Sequence, residues 1–109
     1  MTFEEMTAQV LQLPLSELRA KEADYLEAVI VKIHWQSLGT ILQNYFGPAL
    51  KPAGTEASDE VNQLTAEHGG ISENQTLYYK KSAQTAELAM LWPWGNGTSL
   101  TAKMVREAL

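Results

Sequence analysis

The apolar residues at the start of the chain recur at helical spacing. From Phe3 to Leu13 they follow one another three or four positions apart, which predicts an amphipathic helix of about three turns. Thr2 and Glu5 have the spacing of a capping box, in which each side chain accepts a hydrogen bond from the other residue's backbone amide. Because the residue before a proline avoids the helical region, Pro14 is predicted to end this helix.

A second, wider stripe at helical spacing begins at Ser16, a predicted cap, and extends to Phe46, where Gly47 and a proline signal a stop. A continuous helix of this length would measure about 45 Å at 1.5 Å per residue. A domain of this size has a radius of gyration of roughly 13 Å. We therefore expect the helix to break, most plausibly near Gly39, or to project towards a partner; alternatively, the β-branched run 29–33 is a buried strand.

Loop-forming residues fill 47–57, and a short helix is predicted after them. Ser58 caps it, acidic residues occupy its first turn, and it runs through His68 to the glycine pair at 69–70.

The last third of the chain predicts three short strands joined by two turns. They are Thr76 to Lys81, Ala86 to Trp94 and Ser99 to Val105. A loop of Ser82 to Thr85 sets Tyr79 opposite Leu88, Leu77 opposite Met90 and Lys80 opposite Glu87, so apolar and charged pairs separate onto different faces. A competing interpretation is one helix over 72–91.

The register of the second hairpin depends on the length of its loop around Gly97. A two-residue loop puts Leu88, Met90 and Trp92 on the face of Thr101, Lys103 and Val105, whereas a three-residue loop puts them with Leu100, Ala102 and Met104. Because a one-residue slip exchanges the buried face, the apolar pairing favours the three-residue loop, with Gly97 left-handed.

These elements predict an α+β fold in which two or three N-terminal helices pack on one face of a C-terminal three-stranded antiparallel β-meander. A length of 109 residues suits a single domain, here 1–109, with a helical part over 2–68 and the meander over 76–105.

The amino-acid composition and the charge argue against several classes of function. Asp and Glu outnumber Lys and Arg by 13 to 8, and no basic stripe is present, which disfavours nucleic-acid binding. The absence of cysteine excludes disulfides and thiol chemistry. No signal peptide or membrane span is predicted, so we expect a soluble cytoplasmic protein with no membrane contact.

Candidate catalytic and metal-binding chemistry is sparse. The two histidines, His34 and His68, have no partner at helical spacing, and both are assigned structural roles. The acidic clusters lie at predicted helix starts or polar faces, and no nucleophile with a base and an orienting group is found. We therefore predict no catalytic residues, no metal, no cofactor and no enzymatic activity.

The remaining candidate is a surface. On the three-residue register the outer face of the meander carries Tyr78, Leu91 and Pro93, with Trp94 beside them, and such apolar patches mark interaction sites. The leading hypothesis is a small acidic non-catalytic interaction module that self-associates as a homodimer through the outer sheet face or the long second helix; a homo-oligomer or a complex with another protein is the partner expected.

Two further functions stay open. The first is a small-molecule-binding or accessory domain with Tyr25, Tyr45, Trp35 and Trp92 lining a pocket between helix and sheet. The second is a transcriptional or antitoxin-type regulator, suggested only by the short N-terminal helices.

Overall fold

The computed structural model describes all 109 residues and places helices on both faces of one five-stranded antiparallel sheet. The helices are α1 (Phe3–Leu11), α2 (Trp35–Phe46) and α3 (Asp59–Thr65), with 3-10 turns at Lys32–His34 and Ala66–His68. The strands are β1 (Glu17–Glu22), β2 (Tyr25–Val31), β3 (Thr76–Lys81), β4 (Thr85–Pro93) and β5 (Ser99–Ala108). Their spatial order is β1-β2-β5-β4-β3, so the last strand is the central one. No helix is both long and apolar enough to cross a membrane.

The first face of the sheet is covered by α1 and α2, and the main hydrophobic core lies between them and the strands. Helix α1 contributes Phe3, Met6 and Val10. Helix α2 contributes Leu38, Leu42 and Tyr45. The sheet contributes Leu26, Ile30, Tyr78, Ala89, Leu100, Ala102 and Met104.

The second face is covered only in part. Val61 of α3 packs on Leu77, Leu88 and Met90, which form a second, smaller core over β3 and β4. No helix covers β1, β2 and β5 on this face, because the chain passes from α3 directly into β3 at the far edge of the sheet.

The predicted architecture of helices on a three-stranded meander is wrong, because the first half of the chain supplies two strands of the sheet. In place of one helix over 16–46 the chain forms β1, β2 and a 12-residue α2. The alternative of a buried strand at 29–33 is correct in kind, but the strand runs from Tyr25 to Val31. Residues 26 and 28–30 are all buried. Apolar residues this closely spaced are compatible with a helix as well as with a strand that is buried on both faces, so the pattern alone did not distinguish the two.

Strand β1 has no local signal for a strand. Its sequence contains mainly charged residues and alanine, which are depleted in strands, and Ser16 caps no helix but donates its amide to Val29 O at 2.9 Å. The turn to β2 is the two-residue Ala23-Asp24, and no residue other than glycine has a positive φ. The glycine or asparagine that announces many hairpins is therefore missing.

The three-residue register of the second hairpin is also wrong. Leu88 lies opposite Val105 and Met90 opposite Lys103, which is the register of the two-residue alternative. The loop itself has four residues, 95–98, closed by a 2.8 Å bond from Trp94 N to Ser99 O, and Gly97 has φ 72°. Apolar pairing selected the wrong register because β4 and β5 are largely buried on both faces. Neither register therefore places a clearly solvent-exposed face on these strands.

Three local predictions are confirmed. Thr2 and Glu5 form the capping box of α1. Ser58 caps α3, whose continuation through His68 ends at a left-handed Gly69. The first C-terminal hairpin has the predicted pairing throughout, so the competing helix over 72–91 is wrong.

Candidate functional site

The uncovered part of the second sheet face carries long polar and aromatic side chains, and we call it the open half. Residues paired across neighbouring strands share a face, and β2 and β5 pair Tyr25 with Val105 and Glu27 with Lys103. The open half consists of Arg19, Tyr25, Glu27, Val29, Thr101, Lys103 and Val105, with Trp92 and Trp94 beside them.

Glu27 is held by two neighbours. Its Oε1 accepts a hydrogen bond from Tyr25 Oη at 2.5 Å, and its Oε2 lies 3.7 Å from Arg19 Nη1. Burial raises the pKa of Tyr25 above its ordinary value, and the hydrogen bond to Glu27 raises it further. Tyr25 is therefore a neutral donor at physiological pH, and Glu27 has one hydrogen bond and one longer ion-pair contact.

Lys103 has no carboxylate partner. Its cross-strand neighbour is Glu27, which would be the usual ion-pair partner, but no carboxylate oxygen lies within 4.0 Å of its ammonium group. The Nζ atom instead lies 4.0 Å from the centroid of the Trp92 ring. This cation–π contact holds the ammonium over the indole and leaves its hydrogen-bond donors available.

Trp94 is the most exposed aromatic residue of the open half, with 38% of its surface accessible. Its Nε1 donates to Thr101 Oγ1 at 2.9 Å, and the Arg19 guanidinium lies 5.5 Å from the ring centroid. The indole is thus fixed across the strand and presents an exposed surface to solvent.

A cleft of about 220 Å³ lies where the open half meets the end of α3. Its floor is formed by Tyr25, Lys103 and Val105, and its wall by the consecutive residues 67–69. His68 on the wall approaches Glu107 of β5, with 3.5 Å between Nε2 and Oε2. The cleft therefore joins the open half to the only helix on this face.

Gly69 sets the distance between the wall and the sheet. It has φ 99°, a left-handed conformation that L side chains rarely adopt, and a Cβ at this position would lie 2.8 Å from Cη2 of Trp92. The indole packs directly beneath the glycine, and its Nε1 is buried without a hydrogen-bond partner. The close approach of Gly69 to Trp92 thus shapes one side of the cleft.

The side chains that line the cleft combine opposite charges with apolar groups. Lys103 offers a cation, Glu67 an anion, and Tyr25 and Val105 an apolar floor. No three His, Asp or Glu side chains lie together in an arrangement able to hold a metal ion. Lys103 is held over Trp92, and the Tyr25 hydroxyl is held by Glu27.

The residues predicted as an interaction surface lie mostly elsewhere. Tyr78 is only 9% exposed and belongs to the main core, and Leu91 packs against that core on the face covered by the helices. Pro93 pairs with Leu100 at the end of β4. Trp94 alone joins the open half. The interaction role of these four residues stays a prediction. The sheet face that is left uncovered by helices is the opposite one to the face that carries Tyr78 and Leu91.

The pocket predicted between helix and sheet is not formed by its four named residues. Trp35 Nε1 donates to Ile30 O at 2.9 Å, and the Tyr45 hydroxyl donates to Glu87, so both serve the fold. Tyr25 lines the cleft and Trp92 borders it, on the other face of the sheet.

Sequence reasoning missed Arg19 and Lys103, and the reason is geometric. Both become part of the site only through the pairing of β2 with β5 and the contacts of Trp92 and Trp94. One signal was available: in 25–28 a polar or aromatic residue alternates with an apolar one, as in a strand with one accessible face.

A second groove of about 360 Å³ lies beside α2, lined by Ile33, Gln36, Ser37, Thr40 and Ile41. Ile33 is 83% exposed at its rim. No charged side chain lines this groove, so it offers fewer kinds of ligand contact than the open half.

Comparison of the chain with protein-family models, curated proteins and solved structures finds no match.

Proposed function

We propose that this protein is a non-catalytic interaction module that binds another protein through the open half of its sheet. The observation that carries the proposal is the unequal covering of the sheet. Helices cover the first face, whereas α3 leaves three of the five strands uncovered on the second. A sheet face without a helix is an available docking surface when it carries more than solvated polar groups.

The side chains of the open half are of the types that dominate interface energetics. Trp, Tyr and Arg are enriched among residues that cost most when truncated. Here Trp94 is held by Thr101 and Arg19, and Trp92 by Lys103. Because these aromatic groups are already fixed, a partner that packs on them gains contact area with little loss of side-chain entropy.

The charge of the protein favours a basic partner. The net charge is −5, and the rim of the open half carries the exposed carboxylates of Glu17 and Glu22. Complementary charge accelerates association and is screened by salt. The same excess of acid supports the expectation that no nucleic acid is bound. We also propose that the partner is met in the cytoplasm, a reducing compartment in which a chain without cysteine is at no disadvantage.

The structure lacks the two features that predicted self-association, the long second helix and the apolar outer face of the sheet. The second helix has 12 residues rather than about thirty, and Tyr78 and Leu91 face the core. Edge pairing is also discouraged, since β1 carries a bulge between Leu18 and Ala20 and alternates charged residues. We therefore propose a different protein, rather than a second copy, as the partner.

Photo-crosslinking from two neighbouring positions of β1 tests the proposal. Glu22 lies opposite Tyr25 on the open half, whereas Lys21 lies opposite Leu26 and points to the other face. A photoreactive residue at position 22 should crosslink in cells to a defined protein, and the same residue at position 21 should not. Trp94→Ala in the position-22 variant should abolish the crosslink. Equal labelling from both positions would contradict the proposal.

Sedimentation velocity distinguishes a second copy from a different partner. The purified protein should sediment as a monomer at high micromolar concentration. A dimer that Trp94→Ala dissociates would show that the open half binds itself and would overturn the proposal of a different partner.

A further inference from the structure

Two opposite charges line the cleft beside α3, and neither has an ion-pair partner. Lys103 lies on the floor and Glu67 on the wall. The structure has no carboxylate within 4.0 Å of Lys103 and no cation within 4.0 Å of Glu67, so the two charges do not pair with each other. Both side chains line the same cavity, so a ligand bound in it lies near one cation and one anion.

Two other ionisable side chains around the cleft lie against polar neighbours. Glu27 accepts from Tyr25 and lies beside Arg19, and His68 lies beside Glu107. A ligand therefore competes with no existing ion pair when it approaches Lys103 or Glu67. The floor between them offers the ring of Tyr25 and the side chain of Val105 for apolar contact.

The volume limits the ligand to a small molecule. A water molecule takes about 30 Å³ of the liquid, so 220 Å³ corresponds to about seven waters. Drug-sized ligands and cofactors occupy pockets of roughly 300 to 1,000 Å³. The cleft is thus too small for a nucleotide and large enough for a molecule with a short apolar group between two charges.

We propose that the cleft binds a small zwitterion of the amino-acid type, with its carboxylate against Lys103 and its ammonium group against Glu67. The short side chain of the ligand rests on Val105 and Tyr25. Selectivity follows from the two opposed charges, because a simple carboxylate or a simple amine satisfies one of them and leaves the other desolvated without a partner. This site goes beyond the proposed docking of a protein on the open half.

Three probes of matched shape test the charge requirement by NMR titration of the full-length protein. L-alanine carries both charges, propionate lacks the ammonium group, and ethylamine lacks the carboxylate. Saturable shifts of the Tyr25, Gly69 and Val105 amides are expected with L-alanine. Propionate and ethylamine should bind at least about tenfold more weakly, the factor that about 1.4 kcal/mol produces.

Two variants assign the charges, each with a control. Lys103→Met should abolish the responses to L-alanine and to propionate, and Glu67→Gln should reduce the affinity for L-alanine to that for propionate. Lys21→Met and Glu56→Gln, both at exposed sites outside the cleft, should leave the L-alanine titration unchanged. Circular dichroism must show that each variant keeps the fold.

Two outcomes would overturn the inference. One is the absence of saturable shifts with L-alanine at millimolar concentration. The other is equal affinity for propionate and L-alanine with no effect of Glu67→Gln, which would identify an anion site only. In either case a persistent crosslink from position 22 would leave the proposed protein-docking function standing, so the two failures are distinguishable.

Discussion

Gly69 and Gly70 lie side by side with positive φ, yet they meet different surroundings. A Cβ at Gly69 would lie 2.8 Å from the Trp92 ring, whereas a Cβ at Gly70 meets nothing within 4 Å. Gly70→Ala should therefore cost only the strain of a left-handed residue, about 1–2 kcal/mol. Gly69→Ala should cost more, because Trp92 must also move.

Denaturant unfolding of the two alanine variants measures this difference, and tryptophan fluorescence reports on the ring. A changed emission is expected for Gly69→Ala alone. If both variants lose the same stability with unchanged emission, the close approach of Gly69 to Trp92 contributes nothing to the wall of the cleft.

Lys51 is a buried lysine that joins two loop segments by hydrogen bonds. It is 2% exposed, and its Nζ donates to the carbonyl oxygens of Pro52, Glu73 and Gln75 at 3.1, 2.9 and 2.7 Å. Burial lowers the pKa of Lys51, and the nearby Glu73 carboxylate opposes that shift. Three acceptors lose their donor in Lys51→Met, so we expect a loss of about 1–3 kcal/mol.

The exposed Lys81, at the end of β3, provides the control for this variant. Lys81→Met should change the unfolding free energy by no more than about 0.5 kcal/mol. Equal effects of the two substitutions in urea unfolding would show that the three carbonyl contacts of Lys51 do not stabilise the fold.

Among the elements, α2 and β4 are joined by a buried hydrogen bond from Tyr45 to Glu87. Burial raises the pKa of Tyr45, and the bond to Glu87 raises it further. Tyr45→Phe leaves the 8%-exposed Glu87 without this donor and should cost about 1–3 kcal/mol at neutral pH.

The same bond predicts a pH dependence whose sign follows from proton linkage. An unfolded tyrosine ionises near about pH 10, whereas folded Tyr45 keeps its proton, so above that pH the folded state binds more protons. Wild-type stability therefore falls with rising pH through a contribution that Tyr45→Phe lacks. The stability gap between the two proteins should narrow between pH 9 and about 11; a constant gap across urea titrations would contradict the raised pKa.

Across the whole molecule, β5 occupies the centre of the sheet. It pairs with β2 on one side and β4 on the other, and it comes last in the chain. Hydrogen exchange should therefore be slowest in β5, β2 and β4 and clearly faster in β1, an exposed edge strand. NMR exchange rates measure this order, and protection of β1 equal to that of β5 would contradict it.

The elements that sequence patterns predicted correctly are those stabilised by near neighbours in the chain. The capping box of α1 and the Ser58 cap of α3 join residues three positions apart, and the pairing of β3 with β4 joins two strands that are consecutive in the chain. The interactions that stabilise these elements lie within short segments, so local sequence patterns were sufficient to predict them.

The site could not be predicted because its groups are joined by pairing between distant segments. Tyr25 and Lys103 lie side by side only because β2 pairs with β5, and a slip of one residue would move both to the core face. Burial on both faces of β4 and β5 removed the polar alternation that normally identifies the register. Local sequence thus specified two helix caps and one hairpin, whereas long-range strand pairing, which depends on the packing of both sheet faces, brought the open half and its cleft together.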